Sequence, residues 1–212
     1  MAVRRMPFQQ LREGTTAMKR TYGSARGFTL IELLVVIVII GMLAALIIPT
    51  VRGAMNSAKK GKAMSQIRDL DGAIKQYCKE YNNKPPAPAG TYSGGALPDD
   101  KLFEGADQAK IIEILTNTGT ATNLNAKQIV FLELDPEAFK VKTATEVAAL
   151  LAGGTSYKDP WDGDYRILLD LNFDDKISGV GGLADIRAKV GVYSLGDPKD
   201  KYDIATTPYK TW

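Results

Sequence analysis

Histidine is absent from this 212-residue sequence, and cysteine occurs once, as Cys78. The first absence removes the commonest general base and the commonest transition-metal ligand. The second excludes an internal disulfide and a thiolate zinc site. A lone cysteine in a helical stretch reads as a small, semi-buried residue. No internal repeat is evident. Acid is also scarce where it would matter most: between Phe28 and Ile48 the only charged residue is Glu32. What remains is a composition of 45% apolar and 24% charged residues, enough for one modest domain plus an anchor.

The net charge of +3 divides unevenly. Residues 1–27 hold Arg4, Arg5, Arg12, Lys19, Arg20 and Arg26 against Glu13, a net of +5. From Phe28 onward there are 21 basic and 23 acidic residues, a net of −2. The basic character therefore belongs to the leader, and the rest gives no reason to expect a nucleic-acid partner.

Phe28 to Ile48 reads FTLIELLVVIVIIGMLAALII. As a helix it spans about 31 Å, close to a bilayer's hydrocarbon thickness. A helix apolar on all sides must be buried in lipid or in other protein. A secretory signal has a shorter apolar core followed by a small-residue cleavage site, whereas here a basic leader ending in glycine comes first. A plain anchor explains the length but not Glu32. An ionisable group there marks either a partner or a residue close enough to the interface to snorkel. Arg12, Lys19, Arg20 and Arg26 precede the span, while Arg52, Lys59, Lys60, Lys62 and Arg68 follow it, so basic-residue counting leaves the topology open.

The run Arg26-Gly27-Phe28-Thr29-Leu30-Ile31-Glu32-Leu33-Leu34 resembles the processing site of type IV prepilins and type II secretion pseudopilins, over roughly residues 20 to 60. The resemblance implies cleavage by a membrane-embedded prepilin peptidase between Gly27 and Phe28, then N-methylation of Phe28. It also implies that Glu32 pairs with the Phe28 amine of a neighbouring subunit, as a carboxylate and an ammonium in an apolar bundle require. Pro49 falls where the family's helix carries a proline, which removes a helical hydrogen bond and permits a kink. The leader-in, domain-out orientation rests on the same resemblance.

Beyond Pro49, Ile67, Leu70, Ile74, Tyr77 and Tyr81 repeat at helical spacing. Lys59, Lys60, Lys62, Arg68, Lys75 and Lys79 supply a wet side, which reads as a solvated face or as a docking surface for acidic patches of neighbouring subunits. Asn82 to Pro86 ends the helix. Residues 84–105 read as a surface loop. Ala106–Asn117 reads as a short helix with Ile111, Ile112 and Leu115 inward. Thr145–Leu151 reads as another, after a cap at Thr143 or Thr145. Strands are expected at Ile129–Leu134, Tyr165–Leu171 and Val190–Leu195. The expected fold is α+β and pilin-like: a long N-terminal helix, half membrane and half amphipathic, packed on a small antiparallel sheet. Its organisation is a cleaved leader (1–27), a transmembrane and assembly helix (28–49), an amphipathic continuation (50–83) and a periplasmic globular domain (84–212).

Two acidic loops are calcium candidates. Asp170, Asn172 and Asp174 alternate as in the opening of a calcium loop, but Asp175 replaces the turn glycine and Gly181 the bidentate glutamate; a hairpin turn is the other reading. The stretch from Ser194 to Ile204, with Trp212 at the end, resembles the C-terminal calcium loop of the major pseudopilin of type II secretion. The resemblance assigns ligand roles to Asp197 and Asp203, with Asp200 and the Leu195 carbonyl beside them. Here Pro198-Lys199-Asp200-Lys201 replaces a longer, glycine-rich stretch, and a solvated loop is the alternative. Calcium at either loop predicts a rise in thermal stability when it is added. Asp159-Pro160-Trp161 resembles the family's Asp-Pro-Trp-Gly turn, with Asp162 in the glycine position.

The function expected is a structural, non-enzymatic one: a subunit of a periplasmic pseudopilus, held in the inner membrane by a single span. Its partners would be the prepilin peptidase, copies of itself, other pseudopilins and the inner-membrane secretion machinery. A surface type IV pilin for adhesion, motility or DNA uptake is the alternative in the same superfamily, although no C-terminal cysteine pair is present. A membrane-tethered hydrolase or binding module would need a catalytic constellation, and acidic pairs such as Asp174-Asp175 are more simply turns or ion sites.

Overall fold

The computed structural model describes residues 27–88, 90–92, 98–119, 124–180, 184–203 and 205–212, and of Pro49 the backbone alone. The leader up to Arg26, Gly181 and Ile204 lie outside the described residues. The chain divides into two units, one ending at Ile48 and one beginning at Pro49.

Helix α1, Leu30–Glu80, supplies both units. In the first, Leu, Ile and Val side chains are exposed on every side, from Phe28 (78% exposed) through Ile48 (52%). A helix satisfies its own backbone polar groups, the condition for crossing a hydrocarbon layer, and this one is long and apolar enough to do so. The helical backbone continues through Pro49.

In the second unit the spacing of three and four decides what is buried. Ile67, Leu70 and Ile74 are fully buried and Tyr77 nearly so, while the basic residues of the other faces are exposed. Cys78 is buried at the stripe's edge, and burial pushes its thiol up to about 11, so it is an inert core residue. Asn82 and Asn83 then take left-handed backbone geometry, and the Asn83 N–H closes on the Cys78 carbonyl at 2.7 Å. Pro85, Pro86 and Ala87, expected in a surface loop, are buried.

The sheet has three antiparallel strands in the order β1 (Lys101–Phe103), β2 (Arg166–Leu169) and β3 (Val190–Tyr193). Leu102 faces Leu168, and Ile167 faces Val192. Strand alternation sorts the two faces. Ile167, Leu169, Val190 and Val192 join the α1 stripe in the main core, whereas Leu168 and Tyr193 join a smaller cluster with Ile177, Val180 and Ile186. Strand β1 lies inside the stretch expected to be loop.

Helix α2, Gly105–Thr116, ends on Asn117 as a left-handed cap and buries Ile111, Ile112 and Leu115. Buried Gln108 grips the Tyr157 backbone with both ends of its amide, at 2.9 and 3.1 Å. Tyr157 and Tyr165 in turn bond Gln66 of α1, at 2.6 and 2.7 Å. Pro136–Phe139 forms a 3₁₀ turn capped by Asp135.

The strand expected at Ile129–Leu134 does not form. Phe131 and Leu132 both give their N–H groups to the Leu115 carbonyl, and Ile129 gives its own to the Asn125 side chain. With those donors committed to the end of α2 and to a buried asparagine, the segment joins none of the described strands.

Helix α3, Ala144–Ala152, starts with a complete capping box between Thr143 and Glu146. Thr143→Ala is expected to lower stability by about 1 kcal/mol, the usual cost of losing such a cap. A denaturant midpoint shifted at constant slope checks it.

Candidate processing and assembly site

Gly27 is exposed, and a Cβ built on it meets nothing within 4 Å. A side chain there would cost the fold nothing, so any requirement for glycine comes from whatever reads the site. Phe28 stands exposed beside it.

The first turn of α1 holds a device that the sequence reading missed. The Thr29 N–H and hydroxyl both donate to Glu32 Oε2 at 2.8 Å, and the Glu32 N–H donates to Thr29 Oγ1 at 3.2 Å. This is a capping box, and Thr29-Leu30-Ile31-Glu32 spells its Thr-x-x-Glu signature. Glu32 therefore closes its own helix end with one oxygen, while Oε1 takes part in none of these bonds. A cation arriving from another chain can use Oε1 without opening the cap.

The acidic loops are built as turns. Asp170 is buried; its Oδ1 accepts from the Phe173 N–H at 2.6 Å and its Oδ2 from the Asp175 N–H at 3.0 Å. Burial raises its pKa, with Asp100 and Asp174 adding to the rise against the two N–H groups. Asn172 accepts from Asp174, and Asp174 from Lys176. Asp175 pairs with Lys189 at 2.9 Å and holds the left-handed geometry of the glycine it replaces, φ +65°.

In the C-terminal loop Asp197 accepts from the Lys199 N–H at 3.0 Å. Asp203 accepts from the Thr206 hydroxyl and from the Thr206 and Ala205 N–H groups, and these bonds, the Thr206 side chain's first, hold its carboxyl below the usual range. Asp200 is exposed and Leu195 half-buried. Among the described residues, no group of three or more Cys, Asp or Glu side chains comes together to hold a metal ion. Asp162, in the turn after Trp161, also keeps glycine-like geometry (φ +66°) and pairs with Lys140 at 3.0 Å.

Residues 23–48 match the family model of the prokaryotic N-terminal methylation motif. The type II secretion system core protein G of Pectobacterium carotovorum is 40% identical over 76 residues, covering 34% of this chain and 49% of that protein. Its Escherichia coli counterpart is 42% identical over 74 residues, covering 35% and 51%. The Pseudomonas aeruginosa core protein G is 45% identical over 51 residues, covering 24% and 36%. The chain thus spans about half the length of the curated relatives it matches. No solved structure matches it. The chain therefore carries a prokaryotic N-terminal methylation motif and, over about a third of its length, is similar to the G-type pseudopilins of type II secretion.

Proposed function

We propose that the chain is a non-enzymatic pseudopilin subunit, cut after Gly27 by a prepilin peptidase, methylated on Phe28 and polymerised through α1. It waits in the inner membrane as a single-pass protein with the domain on the periplasmic side. From there it assembles with copies of itself and other pseudopilins on the secretion machinery. The observation that carries this reading is the methylation motif, residues 23–48, which runs into a helix whose aliphatic side chains are exposed all round. Such a surface needs lipid first and other helices later. On leaving lipid, the Glu32 carboxylate gains most by meeting the new Phe28 amine of a neighbour, because an unpaired charge in an apolar bundle is costly.

The test is the intact mass and N-terminal residue of protein taken from membranes of cells with an active prepilin peptidase. The expected species starts at Phe28 with one added methyl group, and Gly27→Val leaves the leader attached. A wild-type chain still carrying residues 1–27 would overturn the proposal.

A further inference from the structure

The resemblance noted for the C-terminal loop implies a calcium ion, and this chain's donors do not fit one. Asp197 and Asp203 turn their carboxylates onto their own loop backbone. A cavity of about 290 Å³ lies beside the loop, lined by Asp159, Asp164, Leu195 and Asp197, but also by Arg166 and Lys201. Asp164 is already held by the Ser156 hydroxyl and by Lys158. Lys201 and Arg166, the latter paired with Glu104 at 2.6 Å, bring positive charge to the cavity wall and offset the attraction of its carboxylates for a divalent cation.

The segment is ordered by other means. Asp159 is 5% exposed, and its Oδ1 accepts from the Trp161 and Gly163 N–H groups at 2.9 and 2.8 Å. Its Oδ2 accepts from the hydroxyl of Ser194, which is fully buried. Every polar atom of Ser194 is used. Its Oγ also accepts from the Gly196 N–H at 2.9 Å, its N–H donates to the Tyr209 carbonyl at 3.0 Å, and its carbonyl accepts from the Thr207 hydroxyl at 2.6 Å. Ser194 thus ties the Asp159 turn through its side chain and the C-terminal strap through its backbone N–H and carbonyl, the Asp159 and Thr207 partners lying 35 and 13 residues away.

Aromatic packing closes over this relay. The Tyr209 ring lies 5.2 Å from Trp161 and 6.2 Å from Tyr202, centre to centre. It rests on Gly196, at φ +74°, where a Cβ would overlap the ring. Further on, the Thr211 N–H bonds the Val192 carbonyl at 3.2 Å, so the strap runs along the free edge of β3. Trp212 packs on Gly191, where a Cβ would come within 3.0 Å of its ring, and meets Tyr193 edge-on.

We propose that the segment from Leu195 to Trp212 is fastened by the buried Asp159–Ser194–Thr207 relay and the Tyr209 aromatic cluster, and that no divalent cation is required to order it. A relay of this kind holds the strap at any calcium concentration, whereas an ion-held loop loosens when the ion is withdrawn.

Both tryptophans of the chain, Trp161 and Trp212, belong to this region, so intrinsic fluorescence reports on it directly. The full-length chain in detergent is melted in excess calcium chloride and in excess EGTA, and digested with trypsin under both conditions. The expected result is the same melting midpoint and the same cleavage rate after Lys199 and Lys201. Ser194→Ala is expected to speed that cleavage by about tenfold or more, the effect of breaking a buried hydrogen bond to a carboxylate, with calcium giving no rescue. A higher midpoint or slower cleavage in calcium, abolished by Asp197→Asn or Asp203→Asn, would overturn the proposal. That comparison needs only the wild type and two surface substitutions, so it decides the matter even where Ser194→Ala does not fold. Its outcome is independent of whether the chain is processed at Gly27.

Discussion

Leu70→Ala is expected to remove about 2–5 kcal/mol of the domain's stability, a large part of the roughly 5–15 kcal/mol that a domain of this kind has. Leu70 is fully buried, one turn from Ile67 and Ile74 on the stripe where α1 meets α2 and the sheet. Truncating it loses the transfer energy of its methyl groups and leaves a cavity that neighbours held by β2 and α2 cannot fill. The control is Lys75→Ala on the same helix. That side chain is more than half exposed, and its bond to Asp71 at 2.7 Å is a surface pair of a few tenths of a kcal/mol. Chemical unfolding of the full-length chain in detergent, followed by tryptophan fluorescence, measures both. A Leu70→Ala midpoint as close to wild type as that of Lys75→Ala would mean that the stripe does not dock the helix.

The α1 stripe was legible because helical burial has a period that one chain segment carries alone. The same holds for α2, whose residues Ile111, Ile112 and Leu115 are inward as their spacing requires; of the two caps open for α3, Thr143 and Thr145, the structure uses Thr143. Strands β2 and β3 were located but are shorter than expected, since pairing stops at Leu169 and Tyr193. Strand β1 was missed because three residues carry no period. It exists only through its partners Ile167, Leu168 and Leu169, more than sixty positions away. The segment 129–134 erred the other way: its β-branched and apolar composition is strand-like, but the Leu115 carbonyl claims the N–H groups a ladder would need.

At the candidate site, Gly27, Phe28 and Glu32 could be named from a motif. The capping role of Glu32 is equally written there, as Thr-x-x-Glu, inside an apolar run where the same residue also stands out as the lone charge. The Asp159–Ser194 relay had no local signature. Its partners are 35 residues apart, and nothing in Asp-Pro-Trp or Ser-Leu-Gly states that each completes the other. The acidic loops carry a pattern with two readings. Oxygen side chains at alternate positions suit a cation, but they suit Asx turns as well, and the backbone N–H groups of the loop are always at hand.

Because Glu32 has two jobs in the proposed assembly, its substitutions are expected to separate. Glu32→Gln keeps an acceptor for the Thr29 N–H and hydroxyl and so preserves the helix end, but it carries no charge for a neighbour's Phe28 ammonium. Glu32→Ala loses both. If the inter-subunit ion pair drives assembly, both variants are processed at Gly27 and both fail to form filaments, seen by electron microscopy of sheared fractions. Reaction of an engineered cysteine pair between neighbouring helices falls for both by tenfold or more, the scale of leaving one buried charge unpaired. If capping is the decisive role, Glu32→Gln assembles like wild type, Glu32→Ala does not, and Thr29→Val fails with it. The two outcomes part most clearly at Glu32→Gln. Loss of filaments in Glu32→Gln assigns Glu32 to recognition between subunits, and their persistence assigns it to the end of its own helix.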